Sequence, residues 1–202
     1  MAYAPTPMGQ WTGGPPPAPA PAKHIEVYTD GGFDANNQAL GTWAFIIRPP
    51  GTPLEDATFL TGFMRHTTNN RMEMLAAIHA LEHVEIGPRI IVTSDSEYVV
   101  KGATAWVDGW VKNGWMTGGG TPVKNRDLWE RMLVLRDLHN VRFDWVKGHA
   151  GNPFNEKCDE LCTKTKTVAR KLLVNDPAKV PSDVGSSYVS NVEVIAQQFD
   201  ET

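Results

Sequence analysis

The sequence lacks any apolar run approaching the roughly 18 residues of a membrane-spanning helix, and its first residues do not follow a signal-peptide pattern. It has only two cysteines, Cys158 and Cys162, too few for a disulfide framework and not spaced as a CxxC pair. Four residues apart, they share one face of a predicted helix and are most simply reduced thiols. We therefore expect no membrane partner and a cytoplasmic location.

An excess of positive charge is also lacking, because the net charge is −4. Taken alone, this value disfavours a polyanionic partner. Residues 1–22 contain no charged side chain, whereas residues 171–202 hold five acids and two bases, so most of the net charge lies at the C-terminal end. The central region is nearly neutral, and a nucleic-acid partner remains allowed.

Three regions differ in composition. Residues 1–22 are rich in proline, glycine and alanine, which cannot form a buried core, so we expect a disordered tail. A flexible leader is favoured over a Pro-rich segment that docks an unknown protein, but both stay open. Residues 23–170 carry the periodic patterns of a folded domain. The acidic residues 171–202 lack clear periodicity, and we interpret them as a mobile tail with a short element near 189–199.

Hydrophobic patterns predict the elements of the central region. Gly31 and Gly32 are expected to end the first strand, and Asn152 followed by Pro153 is a good helix start. Hairpin-linked strands followed by strand–helix alternation predict a mixed α/β sheet. The predicted strands are 25–30, 43–47, 58–63, 89–95 and 141–146, and the main helices are 70–84, 126–138 and one starting at 153.

Four carboxylates lie far apart, each in its own local motif. Each has an ordinary explanation: Asp30 as a turn residue, Asp95 as a helix cap, Glu73 as a solvated residue near a helix start, and Asp159 as a surface residue. If the fold brought them together, their repulsion would require divalent cations, and hard oxygen ligands suit Mg²⁺ or Mn²⁺.

Taken in series, the motifs resemble the type 1 ribonuclease H family over about residues 24–168. The resemblance implies a ribonuclease H-like, mixed five-stranded sheet, with a three-strand antiparallel meander plus parallel strands and flanking helices. It makes residues 23–170 the catalytic domain. The motifs are Tyr-Thr-Asp-Gly at 28–31, Thr-Thr-Asn-Asn-Arg-Met-Glu at 67–73, Thr-Ser-Asp-Ser-Glu-Tyr-Val at 93–99, Pro-Val-Lys-Asn at 122–125, Trp-Val-Lys-Gly-His-Ala-Gly at 145–151 and Asn-Glu-Lys-Cys-Asp-Glu-Leu at 155–161.

The resemblance also implies an activity, which is cleavage of the RNA strand of RNA–DNA hybrids to 5′-phosphate and 3′-hydroxyl ends. Two metal ions, Mg²⁺ or its substitute Mn²⁺, would clamp the attacking and leaving oxygens. By position, Asp30 bridges both ions, and Asp159 completes the site of the ion that activates water. Glu73 and Asp95 complete the site on the leaving-group side. His149, between glycines, matches a mobile-loop histidine that assists proton transfer or product release.

Substrate contacts carry over in the same way. The resemblance places Asn36, Asn69 and Asn70 in the hybrid's minor groove, where 2′-hydroxyls distinguish RNA from DNA. It places Thr68 and Asn125 in a pocket for a DNA phosphate. Trp106 matches an aromatic that packs on a DNA sugar, whereas we interpret Trp110 and Trp115 as core residues.

Two departures from the family pattern concern substrate binding. The turn after the first acid, 32–38, lacks the usual Gly/Pro composition, and the protrusion at 103–124 has only Lys112 and Lys124 as basic residues. Fewer phosphate contacts predict weaker, less salt-dependent binding. A related nuclease of the resolvase or integrase type, or a non-catalytic hybrid-binding module, remains the alternative. The His149 loop and the Trp106 region argue against the first alternative, and the complete acid set argues against the second. We expect a monomer.

Overall fold

The structure is a computed structural model that describes residues 24–182, and these residues form one mixed five-stranded sheet covered by helices. The strand order is β3-β2-β1-β4-β5, with β1, β2 and β3 antiparallel and β1, β4 and β5 parallel, which confirms the predicted fold class. The elements are β1 His24–Asp34, β2 Leu40–Arg48, β3 Thr58–Met64, α1 Asn69–His83, β4 Arg89–Ser94, α2 Glu97–Lys101, α3 Val107–Lys112, α4 Arg126–Leu138, β5 Asn140–Trp145 and α5 Pro153–Asn175.

Helices cover both faces of the sheet, and the side chains of each strand alternate between the two faces. On β2, Trp43 and Phe45 belong to the larger core, which includes the buried side of α1 and Trp129 of α4. Their neighbours Ala44 and Ile46 belong to a second core with the α5 cysteines. The middle strand β1 is therefore enclosed between α1 and α5, and its polar residues lie between two helices.

The expectation that Gly31 and Gly32 end the first strand is wrong, because β1 continues through them to Asp34 and stays paired with β2. The glycines serve a close approach between backbones instead. A Cβ atom on Gly31 would lie 2.4 Å from the backbone nitrogen of Glu73 in α1. Glycine is needed here because α1 lies directly on the strand, and not because the chain turns.

The predicted domain end at residue 170 falls inside α5, which continues to Asn175 and is followed by a 3₁₀ turn, Pro177–Lys179. Leu172 and Val180 are buried with Leu40 and Phe63, so residues 171–182 pack on the domain. Their apolar partners lie far away in sequence, which local periodicity does not reveal. The predicted disorder of 1–22 and the element near 189–199 lie outside the described residues.

The region between β4 and α4 begins with a continuous helical segment from Glu97 to Lys112. A π-helical turn, Gly102–Trp106, connects α2 to α3, and a Cβ on Gly102 would lie 2.0 Å from the Trp129 ring. Trp110 and Trp115 pack, partly buried, against the larger core. Of the helices within residues 24–182, none combines the length and the apolar character that crossing a membrane requires.

Candidate active site

The parallel pairing of β1 and β4 places two of the acids side by side. Thr29 is the register partner of Ser94, so the residues that follow, Asp30 and Asp95, leave the paired region together at the carboxyl end of β4. This is the end of an open α/β sheet where ligands collect. Two acids separated by 65 positions thus become neighbours through strand register alone.

Glu73 joins this pair from α1. Because Gly31 has no side chain, the first turns of α1 lie against β1, and Glu73 is buried there with 6% of its surface exposed. One carboxylate oxygen from each of Glu73, Asp30 and Asp95 can be chosen so that all three lie within 4.8 Å of one another. This spacing suits a shared divalent cation.

The carboxylates in this group repel one another because all of them are negatively charged when ionised. Burial raises the pKa of Asp30 from 3.8 to about 6, and the charges of Asp95 and Asp159 act in the same direction. Burial, with the charges of Asp30 and Asp95, raises the pKa of Glu73 well above its usual range. Glu73 Oε2 is buried and has no hydrogen-bond partner among the described residues. Within residues 24–182 these carboxylate oxygens have no ion-pair partner to balance their charge, and they are the ligands that a hard divalent ion prefers.

Asp159 lies on α5 at the edge of this group. Its side chain is exposed, and it is outside the set of oxygens that lie within 4.8 Å. It is nevertheless close enough for its charge to raise the pKa of both Asp30 and Asp95. The fourth acid therefore lies on the solvent side of the cluster.

The loop that carries His149 lies against Asp95. A Cβ atom on Gly148 would be 2.6 Å from Asp95 Oδ2, so a larger residue at this position would displace the Asp95 carboxylate. His149 itself is exposed and has a left-handed backbone with φ of 52°. The pKa of Asp95 is raised chiefly by burial, and His149 opposes this increase. The imidazole is thus placed at the open side of the acid group.

Sequence reasoning missed two residues that contact Asp95. Asn155 is 3% exposed, and its Nδ2 makes no hydrogen bond within the described part of the chain, yet its amide is near enough to Asp95 to lower the pKa of that carboxyl. The Trp145 indole donates to the Asp95 carbonyl oxygen at 3.0 Å. Asn155 precedes Asp159 by one helical turn, and this spacing was the available sequence signal.

Thr68 and Asn125 lie on one surface because Arg71 connects their helices. Thr68 caps α1, and its hydroxyl accepts from the Arg71 backbone N–H at 3.4 Å. The Arg71 guanidinium donates to Asn125 Oδ1 at 3.4 Å and to both oxygens of Asp127 at 3.0 and 2.7 Å. Arg71, which sequence reasoning did not single out, therefore contacts both members of the predicted phosphate-contacting pair, Thr68 through its backbone N–H and Asn125 through its guanidinium.

The predicted groove contacts form a second group. Asn36, Asn69 and Asn70 are exposed, and Asn69 lies close enough to Glu73 to lower the pKa of that carboxyl. Trp106 is 38% exposed and contacts the rings of Tyr98 and Trp110, with centroid distances of 6.4 and 5.8 Å. It is partly exposed to solvent on the helical segment after β4.

Comparison with known proteins supports the family resemblance described above. The family model described as RNase H matches residues 22–167 of this chain. A protein named Ribonuclease H from Geotalea uraniireducens (strain Rf4) is 45% identical over 137 residues, which are 68% of this chain and 90% of that protein. Its namesake from Dinoroseobacter shibae is 48% identical over 135 residues, 67% of this chain and 86% of the relative.

Solved structures show the same architecture. LC9-RNase H1, described as a type 1 RNase H with the type 2 active-site motif, superposes with a TM-score of 0.60 at 25% identity, covering 91% of this chain and 85% of that one. The foamy viral protease-reverse transcriptase in complex with RNA/DNA hybrid gives 0.61 at 17% identity, covering 79% of this chain and 22% of the viral one. At that identity the viral protein supports the fold alone.

Proposed function

This chain belongs to the type 1 ribonuclease H family, and we propose that it is an endonuclease that hydrolyses the RNA strand of RNA–DNA hybrids, leaving 5′-phosphate and 3′-hydroxyl ends. One observation carries the proposal. Oxygens of three acids from separate elements lie within 4.8 Å of one another, and one oxygen of the buried Glu73 has no partner in the described structure. Without a compensating cation this arrangement lowers the stability of the fold, so we assign it to function.

We propose two Mg²⁺ ions as the cofactor, with Mn²⁺ as a substitute. Asp30 would be shared by both ions, Asp159 would serve the side of the attacking water, and Glu73 and Asp95 would serve the leaving group. When bound, such ions neutralise charge on the reacting phosphate and lower the pKa of a bound water. The donor set fits them because every ligand atom is a carboxylate oxygen, as hard cations require.

The other residues of the site bind, orient and move protons. Trp145 fixes the Asp95 carbonyl oxygen by a hydrogen bond, and Asn155 lies close enough to the Asp95 carboxylate to lower its pKa. His149, on an exposed loop in contact with Asp95, is placed to accept a proton or to assist product departure.

Hybrid recognition would use the exposed polar surface beside the acids. Asn36, Asn69 and Asn70 would read 2′-hydroxyls across the minor groove, which distinguishes an RNA strand from DNA. Thr68 and Asn125 would hold a DNA phosphate, and Trp106 would pack against a deoxyribose.

Cleavage specificity tests the proposal. An RNA–DNA hybrid labelled on either strand is incubated with the protein in Mg²⁺ or in EDTA, beside duplex RNA, duplex DNA and a four-way junction. We expect cleavage of the hybrid's RNA strand alone, only with metal, and products that can be ligated after removal of the protein. Junction cleavage would indicate a resolvase-type nuclease, and hybrid binding without cleavage would indicate a non-catalytic module.

We also propose weak electrostatic binding of the hybrid. Among the described residues, the segment 103–124 has Lys112 and Lys124 as its only bases, and its Asp108 pairs with Arg136 at 2.9 Å. Few phosphate contacts give a shallow dependence of affinity on salt. A steep dependence together with tight binding would contradict this. A monomeric, cytoplasmic enzyme completes the proposal, and sedimentation tests its oligomeric state.

A further inference from the structure

The turn after β1 is organised by a carboxylate and not by the Gly/Pro composition that the family pattern favours. Asp34 is 8% exposed; its Oδ1 accepts from the Asn36 backbone N–H at 3.0 Å, and its Oδ2 accepts from Asn37 Nδ2 at 2.5 Å. The turn then passes through two non-glycine residues with positive φ, Gln38 at 51° and Ala39 at 49°. Such a conformation needs support from its surroundings.

This turn is fastened to the segment that leads into α1. His66 N–H donates to the Gln38 carbonyl at 2.9 Å, and Thr67 N–H donates to the Ala39 carbonyl at 3.1 Å. The residues that follow, 68–70, include the other proposed minor-groove contacts. The Asn36 turn and the start of α1 are thus parts of one surface, which we call the groove-reading surface (residues 35–39 and 66–70).

The C-terminal end of the described chain, from Arg170 to Pro181, makes hydrogen bonds to the residues that flank this surface. The Arg170 guanidinium of α5 donates to Asp34 Oδ2 through Nε at 2.9 Å and also through Nη2. Arg65 N–H donates to the Pro181 carbonyl at 2.8 Å, and Val180 is buried beside the strands below. Hydrogen bonds from Asn37 and from Arg170 lower the pKa of Asp34 to about 2, so the carboxylate stays ionised at neutral pH.

We propose that Arg170 is a positioning residue, acting through Asp34 to hold the groove-reading surface in the conformation that binds the hybrid. The inference rests on the proposed function, because it assigns a role within that function's substrate surface. Arg170 contacts none of the four acids in the described hydrogen bonds and ion pairs, and its side chain is 49% exposed. Its loss should therefore weaken substrate binding while leaving the chemical step in place.

The test is steady-state cleavage of a labelled RNA–DNA hybrid by the full chain, comparing Arg170→Gln with Lys171→Gln. Lys171 is exposed and adjacent on α5, so its variant removes the same charge and accounts for nonspecific attraction to phosphates. We expect Arg170→Gln to raise KM about fivefold more than Lys171→Gln, which is the change expected for the loss of one hydrogen bond. The kcat of Arg170→Gln should stay within about twofold of wild type. Arg170→Lys should restore part of the loss.

A double-variant cycle separates positioning from general destabilisation. If Arg170 acts through Asp34, Arg170→Gln combined with Asp34→Asn should raise KM no more than the larger single effect. Equal KM for the two Gln variants, additive effects in the cycle, or a fall in kcat with KM unchanged would each overturn the inference. Melting curves verify that the assays use folded protein, and Arg170→Lys supplies the comparison if Arg170→Gln is unfolded. Absence of hybrid cleavage by the wild type would instead overturn the proposed function.

Discussion

Asp30 and Asp34 lie on the same strand and, four residues apart, on the same face, and both are less than a tenth exposed. Their surroundings are nevertheless opposite. The pKa of Asp30 is raised to about 6 by burial and by neighbouring acids, whereas the pKa of Asp34 is lowered to about 2 by Asn37 and Arg170. The first carboxylate opposes folding when it is ionised, and the second supports it.

The comparison separates a site from its scaffold. Elsewhere in the described chain, buried or half-buried acids have cationic partners, as Glu26 has in Arg48 and Asp34 has in Arg170. Among the buried or half-buried acids of residues 24–182, those without an ion-pair partner are Asp30, Glu73 and Asp95, which lie together. An uncompensated cluster within a well-paired protein indicates a place for a ligand of opposite charge.

The largest expected effect comes from Asp30→Asn. Turnover of the hybrid in Mg²⁺ should fall by at least about 1,000-fold, because in the proposed mechanism Asp30 holds both ions, and such a ligand contributes several kcal/mol. In EDTA the same variant should be more stable than wild type by up to about 3 kcal/mol, because a buried charge is removed. Denaturant unfolding measures the second effect, with Asp34→Asn as the matched control that should lose stability. Wild-type activity of Asp30→Asn in Mg²⁺ would sink the mechanism.

Gly31→Ala tests whether the strand geometry between the two aspartates places Glu73. The added methyl would meet the α1 backbone at 2.4 Å, so α1 must shift, and a displacement of this kind costs activity about 100-fold. Gly109→Ala is the control, since no described atom lies within 4 Å of a Cβ there and alanine favours its helix. Equal kcat values for the two variants would show that the close approach is dispensable.

His149→Ala should affect the site without affecting the scaffold. We expect turnover to fall about 100-fold, incompletely, as for loss of a proton-transfer group. The melting temperature should be unchanged because the side chain is exposed. A matched loss of stability and activity would mean that the residue supports the loop and not the reaction.

The smallest expected effect is the pH dependence of stability, which compares Asp30 and Asp34 directly. Asp30 has a folded pKa of about 6 against 3.8, so stability in EDTA should rise as pH falls from 6 towards 4. Asp34 has a folded pKa of about 2, so its contribution is lost as pH falls from 4 towards 2. Thermal melting across this range should show a maximum near pH 4. Asp30→Asn should flatten the upper limb, and parallel curves for wild type and variant would refute the assignment.

The elements with local signals were predicted closely. Helix α4 has the predicted bounds, and α1 differs by one residue at each end, because capping residues and periodicity act within a few positions. The two errors, at Gly31 and at the domain end, share a cause. The backbone of α1 over Gly31 and the partners of Val180 come from distant parts of the chain. Asn155 was missed for the same reason, since its link to Asp95 spans 60 positions.

The sequence by itself determined the chemistry that is available: four acids in recognisable motifs, a histidine between glycines, and asparagines at the start of a helix. The tertiary structure alone decided which carboxylates meet, and it gave Asp30 and Asp34 opposite properties despite their common strand. The physical reason is that a carboxylate's pKa depends on burial and on charges within a few ångströms, which here come from β4, α1 and α5. Strand register and a missing Cβ supply that proximity.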